Sequence, residues 1–295
     1  MVADIDTFIF TRYLYSLTEV KQSLMLALLD RNSDEALFWT YELYYSGFKQ
    51  ETIDYLYQTY EFLYSFDNVD LQGFILKLES EWQNDKTLDH LVGSIAITLC
   101  GRKYRIDHFI KEILHIVCKS IYKKTRKLKV YLKPSDIEIY KTIESNGTAF
   151  NVLKKACRYP LRKYVNNIFQ TFVPENVREI YYYHWQYYAV RSWVWKERAE
   201  QYNGYLNHET KRLVFSEVEP DSDEFEQEFY KNWGYEPDEQ SLLVQSKSIG
   251  TGFEKQVSLK EFCSKYGAEI ITKKIKRKKI NIDNNQKLVN SIIYT

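Results

Sequence analysis

The chain has 295 residues, 44% of them apolar and 27% charged, with a formal net charge of +1. That length can bury a sizeable core, and the balance is that of a globular protein, not of a disordered chain. Glycine (10) and proline (5) are too scarce for a turn-rich β-sandwich, while aromatics reach 16%, led by 26 tyrosines.

Cys100, Cys118, Cys157 and Cys263 form no CxxC pair and read as free thiols of a reducing compartment. The N-terminal M-V-A-D-I-D-T-F has neither a basic region nor a long apolar stretch, which argues against a signal peptide. No window approaches the roughly 18 apolar residues of a membrane span, so no membrane partner is expected. The charge is unevenly placed: residues 1–100 carry a balance of −10, residues 101–200 of +12, and residues 201–295 of −1. An acidic first third therefore precedes a basic middle third.

In chain order, Asp4 to Tyr15 reads as a first short helix. Ser16-Leu17-Thr18-Glu19 has the capping-box spacing, and the helix it opens carries Val20, Leu24, Ala27 and Leu28 on one face. Ser33 with Asp34 and Glu35 marks the next N-terminus, followed by Leu37, Tyr41, Tyr44 and Phe48 at helical spacing. Gly47 sits where the chain must turn, and Ile53, Tyr57, Tyr60 and Tyr64 repeat the pattern. The two segments predict an antiparallel helical hairpin with aromatic faces, around which the first domain is built. Leu71, Phe74, Ile75, Leu78 and Trp82 mark a further helix, as do Leu88 through Leu99, ending near Gly101. Asp107 to Lys124 carries Phe109, Ile110, Ile113, Ile116, Val117 and Ile121 and predicts one more.

Val130-Tyr131-Leu132 reads as extended before Pro134, and Ser135-Asp136-Ile137-Glu138 as a second capping box opening a helix to about Glu144. Asn146-Gly147 is a turn, and Thr148 caps a helix through Cys157. Pro174 fits the first position of a long helix to about Glu200, aromatic on every face. Gly204 to Phe215 predicts a small β-hairpin. Residues 217–239 hold ten acidic residues, among which Phe225, Phe229 and Tyr230 fit a short helix stopped at Gly234. Tyr235 to Gln240 is a loop, Ser258 and Glu261 cap a last short helix, and Lys273 to Lys279 is a basic cluster in a terminal tail.

The fold class expected is mainly α: an array of antiparallel helical hairpins with a small β-hairpin in the C-terminal third. The expected division is a helical domain over 1–133, a second over 134–270 and a basic tail over 271–295.

Chemistry is sparsely signalled. There is no GxxxxGK[ST], and Gly250-Thr251-Gly252 lacks the strand and helix of a dinucleotide site, so no cofactor is expected. His108, His115 and Cys118 would share one stripe of a helix, but no second ligand cluster accompanies them, and no metal site is expected. No GxSxG or other nucleophile setting stands out, and the reading is non-catalytic. Lys119, Lys123, Lys124, Arg126, Lys127 and Lys129, interleaved with Tyr122 and Tyr131, are the candidate nucleic-acid contacts. Trp39, Tyr41, Tyr44, Tyr183, Trp185, Trp193 and Trp195 are candidates for core or for a protein interface.

The stretch A-L-F-W-T-Y-E-L-Y-Y-S-G-F over Ala36–Phe48 resembles an uncharacterised helical family of nucleocytoplasmic large DNA viruses. H-W-Q-Y-Y-A at 184–189, W-K-E-R at 195–198 and G-Y-E-P-D-E-Q at 234–240 fit the same pattern, so the resemblance spans about residues 17–240. It implies a viral source, a helical fold and placement in host cytoplasm or viral factory, with the nucleus as the alternative; it carries over no catalytic residue. Ala36-Leu37-Phe38-Trp39 before Gly47 is also similar to the helical oligomerisation segment of some replication-associated AAA+ ATPases, over about a dozen residues. No ATPase core accompanies it, and convergent hairpin packing explains it. The expectation is an interaction or scaffold protein with protein partners, and the alternative is an accessory of nucleic acid.

Overall fold

A computed structural model describes residues 8–121, 128–143, 148–216 and 223–271. The fold is mainly helical, with two small antiparallel two-stranded sheets. Helices α1 (Leu17–Asp30), α2 (Ser33–Tyr45) and α3 (Lys49–Thr59) follow one another across tight turns. Next come α4 (Asp70–Asn84), α5 (His90–Gly101) and α6 (Asp107–Leu114).

The centre is α2. Every residue from Glu35 to Tyr44 is buried, because α1, α3, α5 and a 3-10 helix over Pro134–Tyr140 pack around it. Asn32, one residue before the expected cap, accepts the Glu35 N–H at 3.3 Å. The expected inward face of Leu37, Tyr41, Tyr44 and Phe48 is buried, and so is the opposite face. A helix enclosed in this way must place its polar groups within reach of buried partners. Trp39 donates to Glu35 at 3.1 Å, Tyr41 to the Asp89 carbonyl at 3.1 Å, and Tyr44 accepts from Trp82 at 2.9 Å. Glu42 is met by the Arg12 Nε at 2.9 Å and the Tyr13 N–H at 3.2 Å.

Several expectations are corrected. From Phe8 on, the segment expected as a first helix is an irregular turn closed by a bridge between Phe10 and Ser16. Phe8, Phe10, Tyr13, Leu14 and Tyr15 are all buried, which one helix face could not achieve. The capping box at Ser16 does not form. Glu19 is buried instead and binds the Lys163 Nζ at 2.7 and 2.8 Å and the Asn166 amide at 2.8 Å. An ion pair offers a buried carboxylate more than a backbone N–H does.

Helix α6 stops at Leu114, with His115 in the left-handed region at φ 55. The chain then forms β1 (Cys118–Ser120), paired with β4 (Ala268–Ile270) in the register Cys118↔Ile270. The apolar residues expected on a helix face therefore alternate: Cys118 and Ser120 point inward, Val117 and Ile121 outward. The segment after Pro134 is a 3-10 helix, with the Asp136 carboxylate accepting the Lys133 N–H at 2.8 Å. The Asn146-Gly147 turn, the acidic residues 217–222 and the 273–279 cluster lie outside the described residues.

The segment 128–132, within which Val130-Tyr131-Leu132 is expected to be extended, carries no strand but lies along α5, and the sequence of α5 explains how. Ser94, Thr98 and Arg102 lie four residues apart along one helical stripe. They bind the Leu132 N–H (2.8 Å), the Val130 N–H (3.0 Å) and the Leu128 carbonyl (3.1 Å) respectively. Helix side chains thus bind this segment's backbone as a neighbouring strand would bind a strand.

Helix α7 (Phe150–Ala156) and the short α8 (Asn166–Phe169) precede the largest departure. The long helix expected from Pro174 is three pieces: α9 (Val177–Tyr183), α10 (Trp185–Ala189) and α11 (Trp193–Glu200). His184, at φ −131, and the turn closed by Ser192 N–H to Ala189 O at 2.8 Å make the breaks. Breaking the helix lets Tyr181, Trp185, Tyr188 and Trp195 all reach the core, which one straight helix could not present. Arg198 is buried with them, 3.8 Å from the Trp233 ring and 4.5 Å from that of Trp195. The expected hairpin is β2 (Gly204–Asn207) with β3 (Arg212–Phe215). Helices α12 (Glu224–Trp233) and α14 (Leu259–Lys265) are as expected, the latter with its Ser258/Glu261 capping box. Between them α13 (Leu242–Ile249) was not anticipated. Buried residues on both sides of residue 133 belong to one hydrophobic cluster.

Two measurements check the buried charges. Lys163→Met strands Glu19 in the core and is expected to lower unfolding free energy by about 3–5 kcal/mol, with Glu19→Leu/Lys163→Met recovering most of it in urea denaturation. Asp30 is the pH-sensitive member. Burial pushes its carboxyl up, but hydrogen bonds and charge from Arg162 and Lys265 prevail and hold it below its usual value. Its stabilising contribution is therefore complete above the unfolded value, about 3.9, and is lost as pH falls through the lower folded value. The stability gap between wild type and Asp30→Asn should close under acid in that window.

Candidate interaction surface

The candidate site is centred on Trp193, the first residue of α11. Trp193 is 55% exposed, although the chain on either side of it is packed. Its position follows from the α2–α3 turn. Gly47 there has φ +97, and a Cβ on it would lie 2.3 Å from the Trp193 Cβ. Only glycine combines that backbone angle with so close an approach. The Val194 N–H also reaches the Ser46 carbonyl at 3.4 Å. The backbone and Cβ of Trp193 are thus seated against the α2–α3 turn, with the indole projecting from them.

A groove lies on each side of it. One, of about 450 Å³, runs between Trp193, Val190 and the hairpin residues Tyr205 and Leu206. The other, of about 430 Å³, runs over Tyr44, Tyr45 and Val194 toward Lys49 and Glu197. Tyr205 is 53% exposed, because β2 turns Leu206 toward the core and Tyr205 away from it. Arg191, Lys196 and Glu200 line the first groove as well, and the Lys196 Nζ lies 5.4 Å from the Trp193 ring centre. The arrangement is an aromatic ridge with apolar hollows and charged edges.

The aromatic candidates separate cleanly. Trp39, Tyr41, Tyr44, Trp185 and Trp195 are core residues. Trp193 and Tyr183 face solvent, Tyr183 at 67% exposure and outside both grooves. Of the basic candidates, Lys119 is exposed on β1 opposite Glu269, and Lys129 is exposed 5.5 Å from the Phe74 ring. Lys123, Lys124, Arg126 and Lys127 lie outside the described residues. Tyr205 and Val190 were not singled out from sequence. The alternation along G-Y-L-N was the one signal for Tyr205, and nothing local marked Val190.

Burial pushes the Cys100 thiol up to about 12 and those of Cys118 and Cys157 to about 11, so they are not thiolate nucleophiles at neutral pH. His184 Nδ1 meets the Lys211 carbonyl at 3.2 Å and His208 Nδ1 the Tyr187 hydroxyl at 2.9 Å. His108, His115 and Cys118 do not share a stripe, since the helix ends between them. Among the described residues no group of three or more His, Cys, Asp or Glu could hold a metal ion, and no helix is long and apolar enough to cross a membrane.

Gly47→Ala tests the seat of Trp193. Strain and overlap together should cost at least about 1 kcal/mol, read as a lowered denaturation midpoint.

No protein-family model matches the chain, and neither a curated protein nor a solved structure matches it.

Proposed function

We propose that this chain is a non-catalytic helical interaction protein that binds a protein partner across the Trp193 ridge. The observation that carries the reading is a half-exposed tryptophan, its backbone seated on the α2–α3 turn, between two grooves. Tryptophan, tyrosine and arginine are the residues most enriched at binding hot spots, and a preplaced ring loses little entropy on binding. The resemblance over residues 17–240 supports a viral source, with host cytoplasm or viral factory as the compartment. Nothing in this reading needs a metal or a cofactor.

The test starts from partners recovered on the immobilised chain, re-expressed and titrated directly against it. Trp193→Ala should weaken such a partner by about 30-fold or more, the scale of a hot-spot residue. Tyr183→Ala, at a more exposed ring outside the grooves, should leave affinity unchanged. Equal binding by wild type and Trp193→Ala would remove the ridge from the interface.

A second reading rests on a separate observation. Residues 128–132, strapped to α5, turn Lys129 and Tyr131 outward, with Tyr131 edge-on to Phe74 at 5.4 Å. A cation beside an exposed aromatic suits a nucleic-acid strand, and the neighbouring sequence is basic. Binding of DNA and RNA across a salt series reads this out. Replacing Lys119, Lys123, Lys124, Arg126, Lys127 and Lys129 by glutamine should flatten the salt slope and weaken affinity. Unchanged binding would reject the segment.

A further inference from the structure

We propose that a cleft beside the end of α3 is a binding site for an amino-bearing nucleobase, and it stands independently of the Trp193 reading. The cleft, of about 360 Å³, is lined by Glu61, Phe62, Ser65, Phe66, Arg105 and His108 among others. It forms where α3 passes into a π-helical turn over Tyr60–Tyr64, closed by the Ser65 N–H on the Tyr60 carbonyl at 2.9 Å. Such turns are rare and occur often at functional sites, because they trade regular hydrogen bonding for a local change of side-chain direction.

Here the turn serves two ends. Leu63, inside it, offers its carbonyl to the Arg105 N–H at 2.7 Å, which docks the chain before α6 against it. The Arg105 guanidinium is then laid 3.9 Å from the Phe66 ring centre and locked flat by Asp107, at 3.1 Å from Nε and 2.5 Å from Nη2. Asp107 is itself fixed by the Ser120 hydroxyl at 2.6 Å. On another wall the His108 ring lies 5.8 Å from that of Phe62, tilted by 31°. Planar π groups, Phe62, Phe66, Arg105 and His108, therefore make up half of the lining, and the guanidinium among them is fixed by Asp107.

Phe66 is 72% exposed, so burial in the fold does not account for it. Aromatic rings and guanidinium planes are the platforms on which unstacked bases are received. The volume suits one base with part of its sugar. Glu61 supplies the polar selection: its carboxylate has no ion-pair partner among the described residues and only accepts hydrogen bonds. A carboxylate favours a base that presents an amino N–H, as adenine and cytosine do, over uracil or thymine, whose one donor, N3–H, lies between two carbonyl oxygens that repel the carboxylate. The base can come from a free nucleotide or from a single strand, and no phosphate-binding loop is needed for either.

The full chain is titrated with AMP and UMP by ligand-observed NMR, and with deoxyadenylate and deoxythymidylate dodecamers by fluorescence anisotropy. AMP binding at millimolar concentration assigns a free nucleotide, and binding of the adenylate strand alone assigns a base within a strand. In either case the amino-bearing probe should bind more tightly than its partner. Phe66→Ala should weaken it about ten-fold, the scale of one stacked base, and Glu61→Gln should erase the preference. Trp193→Ala should change neither result. Phe66 is largely exposed, so its loss should leave the fold intact, and an unchanged thermal midpoint checks this. Absence of binding to all four probes, or binding indifferent to Phe66→Ala, overturns the proposal.

Discussion

A helix with no solvent face must have each of its polar groups answered by a neighbour, and α2 is such a helix. Two carboxylates, Glu35 and Glu42, are buried on it together with Trp39, Tyr41 and Tyr44. Removing carboxylates from water is costly unless charge and hydrogen bonds replace the lost solvation. Glu42 takes Arg12 from the segment before α1, and Glu35 takes the Arg162 guanidinium, 127 positions along the chain. The same logic pairs Glu19 on α1 with Lys163. The remote segments are thus brought to the central helices by charge as well as by apolar surface. A wrong docking would strand an ion, which makes these pairs a guard on the arrangement.

The aromatic excess follows from this architecture. Rings from the turn before α1 and from α2, α10 and α11 meet edge to face, as in Tyr15–Trp39 at 5.0 Å and Trp185–Trp195 at 5.2 Å. Tyrosine suits a core of this kind because its hydroxyl can reach backbone carbonyls at the margin while the ring packs. Tyr15 does so on Tyr159 O at 2.9 Å and Tyr55 on Lys21 O at 2.7 Å. Trp193 and Phe66 depart from the rule. Each is exposed, yet each sits on backbone shaped to hold it, by the Gly47 turn in one case and the π-helical turn in the other. Exposed aromatics on prepared backbone are where this fold departs from its own economy, and both candidate sites lie there.

Much of the architecture was legible in residue order. Helical spacing located α2 through α5, alternation and polar turn residues located the β2–β3 hairpin, and Ser258 with Glu261 located α14. These are local signals, carried by contacts a few residues apart. What local spacing could not decide was where an ambiguous segment would find its partner. Ile113 through Ile121 suits a helix face or a strand, and pairing with Ala268–Ile270 settled it. The stretch from Pro174 to Glu200 is aromatic all round and reads as one helix. Only the shape of the core required it to break twice. Ser16 to Glu19 has a capping box's spacing, but a lysine 144 positions away claimed the carboxylate.

The candidate sites divide along the same line. Composition, an aromatic inventory and a basic middle third were set by the sequence alone, and so was a mainly helical chain with a small hairpin. Which tryptophan would be buried and which exposed was decided by tertiary structure. Trp193 and Trp195 stand two residues apart on one helix, and the roughly 200° of rotation between them separates solvent from core. That Phe66, Arg105 and His108 share a cleft was likewise invisible, since α3 and α6 meet only once the chain has folded. Local sequence encodes direction along a helix; a surface is the sum of which faces remain uncovered when all the helices have packed.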